Sequence, residues 1–328
     1  MEILTACTLD CPDCCSLLVQ VEDSGDIRIK GNPHHPITAG FTCEKIKRLK
    51  HRLKSSHRIT TPLLKEGQNW KPIDWDTALQ RCAEEIQQCR REPESILHLR
   101  GDGDKGVLSQ VNDLFFTRLG SSRVAGCLCD STGITACITD FGSLETNDIL
   151  DLVRARWIVN WGKDLSRSSV HVAALVRKAR RMGAQVITIS PGGDGNRDFS
   201  DIMIRIRPGT DRFLAAAVIR RLLKEDNIDD DVLNHVRNWS AFRKLVTGRS
   251  MSNLSAACEV SEAQIEQLTE FYAKTEPVAT LMGWGLQRYR YGGENVRFIN
   301  ALALLSGNIG KSGGGEATTT FFLHGTLT

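Results

Sequence analysis

Short apolar runs alternate along most of the chain with segments whose apolar positions recur every three to four residues. The runs predict strands at Ile96–Leu99, Trp157–Trp161, Gln185–Ser190, Ile202–Ile206 and Val278–Met282. The helical spacing predicts helices after Gly101-Asp102-Gly103 to about Leu119, over His171–Met182, from about Asp211 to Lys224, and over about Asn295–Leu305. A further helix is expected from Asp74, a plausible N-cap, with Trp75, Ala78, Leu79, Cys82, Ala83 and Ile86 on one face. That face makes Cys82 and Cys89 core-facing thiols. Near the N-terminus the pattern changes. Ser16–Glu22 and Ile27–Lys30 read as a hairpin across Asp23–Asp26, and the turns at Gly31-Asn32-Pro33 and Pro36–Gly40 lead the chain back to Cys43.

Strands that alternate with helices predict a parallel sheet. The expected fold is α/β, with doubly wound, mostly parallel sheets behind a small β-rich N-terminal domain. Boundaries are expected at 1–60, 61–150 and 151–328, with no internal repeat and no low-complexity linker.

Four cysteines change the picture. Cys7, Cys11, Cys15 and Cys43 follow the spacing C-x3-C-x3-C-x27-C. Three thiols come from one tight loop and the fourth from a distant segment, which suits a cubane iron–sulfur cluster needing four converging thiolates. Structural zinc, usually held by two close knuckles, is the alternative, and unrelated core cysteines are the plain one.

Composition adds limits. The chain has 328 residues, 41% hydrophobic and 25% charged, with net charge +3, too little to argue for nucleic acid. Basic residues crowd positions 45–54, as a solvated helix face or a positive collar beside an anionic group. No run of apolar residues is long enough for a membrane span, so no membrane insertion is expected. The first residues carry neither a basic region nor an apolar core, nor a twin-arginine signal, so the mature protein is expected to begin here. Eleven cysteines without an export signal point to a cytoplasmic protein using thiols as cofactor ligands and core groups rather than disulfides.

Ligands of doubly wound sheets bind at the carboxyl ends of the strands. Four predicted strand ends carry small or glycine-rich turns: Gly162-Lys163-Asp164, Ser190-Pro191-Gly192-Gly193, Arg207-Pro208-Gly209-Thr210-Asp211 and Gly283-Trp284-Gly285. Together they favour a nucleotide-like ligand, with Asp164 or Asp211 available to accept from a purine edge or a ribose. Neither G-x-G-x-x-G nor G-x-x-x-x-G-K-[ST] occurs in a strand-to-helix context, which disfavours an ordinary NAD or P-loop site. Cys127 and Cys129 lie in a second cysteine-bearing segment. Taken alone, each is more often a buried thiol than a ligand. No two histidines have metal-ligand spacing on a helix.

The segments CTLDCPDCCSLLVQVED, GNPHHPITAGFTCEK, IDWDTAL, SRVAGCLCDSTG, NWGKD, RPGTD, GWGLQR and GNIGKSGGG follow one another in an order that resembles the molybdopterin oxidoreductases. These are the enzymes similar to dimethyl sulfoxide reductase, nitrate reductase and formate dehydrogenase. The resemblance spans essentially the whole chain. It implies a [4Fe–4S] cluster on Cys7, Cys11, Cys15 and Cys43, with Cys14 a bystander, and Lys45 lying between cluster and pterin. It implies that the turns Gly162–Asp164, Ser190–Gly193, Arg207–Asp211 and Gly283–Gln287 hold a molybdopterin guanine dinucleotide, with Trp284 inside the last of them. Ser190 departs from the acidic residue usual at that place, and Ile46 from a glycine that often follows the lysine. The implied ligand of molybdenum or tungsten is Cys129, with Ser131 as the alternative.

The function implied is two-electron oxidation or reduction of a small substrate, as in anaerobic respiration, with electrons leaving through the cluster to a redox partner protein. Family catalytic chains continue for several hundred residues, including a β-barrel domain, beyond GNIGKSGGG. The chain is therefore expected to be a fragment, an interrupted product or a subunit whose partner supplies that domain, with exposed apolar surface around residues 283–322. Two alternatives stand beside this reading: a non-catalytic iron–sulfur electron-transfer or assembly subunit, and a zinc-stabilised nucleotide-binding protein.

Overall fold

A computed structural model of the chain describes residues 2–9, 13–101, 107–124, 126–228 and 230–317. It comprises two compact units. One contains Met1–Asp10 and Cys15–Cys127, the other Cys11–Cys14 and Leu128–Thr328.

In the first unit β1 (Glu2–Ala6), β2 (Ser16–Val21) and β3 (Ile27–Gly31) form an antiparallel sheet in that order. β2 and β3 are the predicted hairpin, with Leu17 opposite Gly31 and Val21 opposite Ile27. β1 has no alternating pattern to announce it. All five of its residues are exposed, and ladder bonds to β2 rather than burial hold it.

Two short helices, α1 (Glu44–Lys47) and α2 (Leu49–Leu53), carry the basic run. Much of its charge is already paired. Lys50 and Lys54 lie 3.6 and 2.8 Å from Asp26, and Lys47 pairs with Glu44. Lys54 beside Asp26 holds that carboxyl down at about 2. The run is thus a solvated, ion-paired surface.

The hairpin of β4 (Leu63–Glu66) and β5 (Asn69–Pro72) precedes α3 (Trp75–Gln88). Asp74 caps α3 as expected, accepting from the Thr77 N–H at 2.7 Å. Its apolar face, however, is not core: Trp75 and Leu79 are 64% and 61% exposed, and Cys82 is exposed. Periodicity marks a face suited to burial without saying which polypeptide covers it. The predicted strand at 96–99 contracts to β6 (Leu97–His98), which pairs in parallel with β7 (Ser122–Arg123); α4 (Val107–Leu119) lies between them in sequence. The expected turn at Gly101–Gly103 falls partly outside the described residues.

The second unit opens with α5 (Ser131–Phe141) and is built on five strands: β8 (Trp157–Trp161), β9 (Gln185–Ser190), β10 (Ile202–Arg205), β11 (Val278–Met282) and β12 (Gly315–Ala317). Their order is β10-β9-β8-β11-β12, and every neighbouring pair is parallel. Between β8 and β9 come α6 (Leu165–Ser168) and α7 (Val170–Arg181). After β10 come α8 (Asp211–Lys224), α9 (Asp230–Leu233), α10 (Trp239–Thr247), α11 (Met251–Cys258) and α12 (Glu262–Tyr272). The last helix, α13 (Gly292–Leu305), separates β11 from β12.

Strand residues alternate between two apolar layers. Val159, Ile187 and Val278 pack with α8, α12 and α13, whereas Ile158, Val186 and Ala279 pack with α7. A parallel sheet buried on both faces explains why these strands read as largely apolar runs without polar alternation. From the centre at β8 the chain winds outward through β9 and β10, then crosses to β11 and β12. The reversal falls between β8 and β11, the place where such sheets open a ligand crevice.

The apolar exposure expected around 283–322 is largely absent from its described part. Leu302 and Leu305 are buried, and Tyr289 and Tyr291, 43% and 44% exposed, are the large exposed hydrophobic side chains among the described residues there. α13 packs on α8 and α5 and so covers its own apolar face. The broader exposed apolar surface lies in the first unit.

Candidate functional site

Register aligns the strand ends. Trp161 is opposite Ile189 and Met282, and Ser190 is opposite Arg205, so the four turns leave one edge of the sheet. The Gly283 N–H donates to the Trp161 carbonyl at 2.8 Å, and the Gly162 N–H to the Ile189 carbonyl at 2.8 Å. A Cβ on Gly283 would strike the Gly162 carbonyl, so only glycine permits these turns to touch at the switch point. The same economy operates at Gly209, whose φ is +75° and whose missing side chain leaves room for the Tyr289 ring.

Buried amides shape the first turn. Asn160 sits inside apolar β8, fully buried, and its amide donates to the Lys163 carbonyl at 2.9 Å. Asn196 does the same from the next loop at 2.8 Å, while its carbonyl oxygen accepts from the Leu165 N–H. Lys163 is itself 3% exposed, and Asp164 is half-buried and accepts from the Ser166 hydroxyl. An asparagine inside the apolar run at 157–161 was the available sequence signal for Asn160. Nothing local marked Asn196.

Ser190 resolves a departure noted from sequence. It is buried, and its hydroxyl donates to the Asp194 carboxylate while accepting from the Gly192 N–H at 3.0 Å. Asp194 thus returns a carboxylate to this strand end four residues later. Pro191 and Gly192 are exposed along the rim.

Asp211 begins α8, and burial pushes its carboxyl up to about 6 despite nearby Arg212. Thr210 donates to the Arg207 carbonyl at 2.6 Å and closes the turn, whereas the Arg207 side chain is exposed. Asn295 on α13 ties two turns together: it accepts from the Arg212 N–H at 3.2 Å and donates to the Leu286 carbonyl at 3.1 Å. Of the fourth turn, Gln287 is buried, Trp284 half-buried and Gly285 exposed.

Cys129 is exposed just before α5. Arg288, immediately after the fourth turn, donates to its sulfur at 2.9 Å. Ser131 is the first residue of α5 and is half-buried. In the first unit Cys7, Cys15 and Cys43 share one apolar nest with Leu17 and Ile46, and the Cys7 N–H donates to the Cys15 carbonyl at 2.8 Å. Cys11 lies outside the described residues. Cys14 is exposed with φ at +41°. Lys45 is an exposed residue of α1. Among the described residues no three His, Cys, Asp or Glu side chains form a group that could hold a metal ion.

A further pair escaped sequence reading. Asp13 and His171, 3% and 4% exposed, meet at 2.6 Å. Asp13 Oδ1 has no hydrogen-bond partner among the described residues. No sequence pattern joins residues so far apart.

Fold and site together define a doubly wound α/β protein whose four turns leave the carboxyl edge of one parallel sheet beside its switch point. Residues 58–326 match the molybdopterin oxidoreductase domain, and residues 1–54 match the molybdopterin oxidoreductase Fe4S4 domain. The chain belongs to the molybdopterin oxidoreductase family. It is 31% identical to the probable oxidoreductase YyaE of Bacillus subtilis over 95% of its own length and 47% of that protein. It is 28% identical to the F420-dependent formate dehydrogenase subunit alpha of Methanocaldococcus jannaschii, over 93% of this chain and 46% of that one. Acetylene hydratase from Pelobacter acetylenicus shares the fold, with TM-score 0.76 and 19% identity over 92% of this chain and 43% of the other. The chain spans about half the length of these relatives.

The family's cofactors are a [4Fe–4S] cluster and a molybdenum or tungsten pterin. The residues present suit both in the chemistry of their donors, although the described side chains do not close into a metal-binding group. Cys7, Cys15 and Cys43 in one apolar nest offer soft sulfur donors for a cluster. The backbone-rich turns and the buried Asp211 carboxylate offer donors and an acceptor to a dinucleotide. No helix among the described residues is long and apolar enough to cross a membrane.

Proposed function

We propose that this chain is the cluster-holding and pterin-holding core of an oxidoreductase that acts on a small molecule and exchanges electrons with a redox partner protein. The observation that carries the reading is the gathering of four turns at the carboxyl edge of one parallel sheet, flanking its switch point. When bound, a molybdenum or tungsten pterin supplies two-electron chemistry, and a [4Fe–4S] cluster passes electrons singly.

The chain's own residues do the rest. Gly162, Lys163, Asp164, Ser190, Pro191 and Gly192 line the cradle on one side. Arg207, Gly209, Thr210, Asp211, Gly283, Trp284, Gly285 and Gln287 line it on the other. Asp211 accepts from the base of a guanine dinucleotide, and Cys7, Cys11, Cys15 and Cys43 hold the cluster. Cys129 is the protein ligand of the metal, favoured over Ser131 because a basic side chain is trained on its sulfur. Lys45 would serve electron transfer between the pterin and the cluster. Relatives named for formate and nitrate support a small substrate. Cytoplasmic placement rests on the cysteine content.

The second reading is a non-catalytic iron–sulfur electron-transfer or assembly subunit. In either case the exposed apolar faces of α3 and α4 suit cover by a further polypeptide segment. Val107 and Leu108 are 83% and 78% exposed there. Elemental analysis of anaerobically purified protein tests the proposal. About four irons per chain with molybdenum or tungsten is expected. Zinc in place of iron refutes it, and iron with neither metal leaves the second reading.

A further inference from the structure

Cys129 precedes α5 on an exposed turn, where a side chain is free to populate several staggered rotamers. Two donors from one guanidinium remove that freedom. Arg288 Nη2 donates to Cys129 Sγ at 2.9 Å, and Arg288 Nε donates to the Cys129 main-chain carbonyl at 3.3 Å. One fork therefore holds both the backbone and the sulfur of one residue.

The residue before it grips the same segment. Gln287 is 4% exposed, and its carbonyl oxygen accepts from the Gly133 N–H in the first turn of α5. A Cβ at Gly133 would press on the Gln287 carboxamide, so the glycine leaves room for this contact. Two consecutive side chains thus reach back across 154 and 159 residues to the turn that carries Cys129.

We propose that Arg288 is a positioning residue for Cys129: it aims the sulfur toward the metal and remains its hydrogen-bond partner after the metal is bound. The proposal deepens the functional reading above and rests on its assignment of Cys129. The chemistry suits the role. A guanidinium has N–H donors and no acceptor, so it orients a ligand without competing for the metal. Its planar fork spans two acceptors, which a lysine ammonium at one point does not do in the same way. Partners that orient a ligand in this manner govern metal retention.

The test compares the full chain purified anaerobically from molybdate-supplied cells as wild type, Arg288→Ala, Arg288→Lys and Arg290→Ala. The first readout is molybdenum per iron after exhaustive buffer exchange. Arg288→Ala is expected to weaken retention by about 10-fold or more, with iron unchanged. Arg288→Lys should recover only part, and Arg290→Ala should match wild type. The second readout is the 13Cβ resonance of Cys129 in cysteine-labelled protein, assigned by its loss in Cys129→Ala. It should move in Arg288→Ala toward the rotamer-averaged position and stay fixed in Arg290→Ala. Wild-type metal retention in Arg288→Ala, or an unmoved resonance, overturns the proposal. If wild-type protein carries iron but neither molybdenum nor tungsten, the functional reading fails on its own, and the resonance alone decides whether Arg288 orients Cys129.

Discussion

Replacing Asp211 with Asn isolates the cost of keeping a carboxylate inside the cradle. The side chain is 6% exposed, and burial raises its pKa from 3.8 to about 6. At low pH the group is protonated in both folded and unfolded chains and costs nothing. Between the two values the folded chain keeps a proton that the unfolded chain has lost, so stability falls as pH rises through this window. Above about 6 both forms are ionised, and the folded state carries the whole penalty, about 3 kcal/mol for a shift of about two units.

Asn keeps an acceptor oxygen at the start of α8 and removes the charge. Asp211→Asn should therefore be about 3 kcal/mol more stable than wild type at about pH 7.5, with roughly half that advantage at about pH 5. Urea denaturation of matched preparations, followed by circular dichroism, measures both differences. Neighbouring Cys258, whose thiol burial also pushes up, stays protonated across this range. An advantage that is absent at the higher pH, or that does not shrink in acid, refutes the reasoning. A gain of this kind is common where a binding site retains a destabilising group for its ligand. On the proposed role of Asp211, the same variant should hold the guanine dinucleotide less tightly.

Other perturbations probe the remaining parts. Gly283→Ala drives a methyl group into the Gly162 carbonyl and should cost about 1–3 kcal/mol, read as a lowered denaturation midpoint; an unchanged midpoint would mean the turns do not touch. His171→Ala strands the buried Asp13 carboxylate and should cost about 3–5 kcal/mol, with wild-type stability the refuting result. Cys11→Ser should abolish the brown absorbance of the cluster, and retention of both colour and iron would remove Cys11 from the ligand set. Cys129→Ala should alter the molybdenum EPR signal, whereas an unchanged spectrum favours Ser131 or no protein ligand.

Much of this protein is legible along the chain because its determinants are local. Strands β8, β9 and β11 are buried on both faces, so each reads as a largely apolar run rather than an alternating one. Asp74 caps the helix it was expected to cap, since a cap needs only a side chain and an N–H three residues on. The glycine turns stand out because conformational demand is also local.

Tertiary structure decided the rest. The apolar stripe of α3 looks like a core face in sequence, yet Trp75, Leu79 and Cys82 are exposed, because a stripe records an appetite for burial and not its satisfaction. Asp194 restores a carboxylate at Ser190 through a turn whose path no spacing rule gives. Asp13 with His171, and Cys129 with Arg288, are pairs separated by 158 and 159 residues. Such contacts exist only once the sheet has brought its strand ends together, and no periodicity in the chain encodes them.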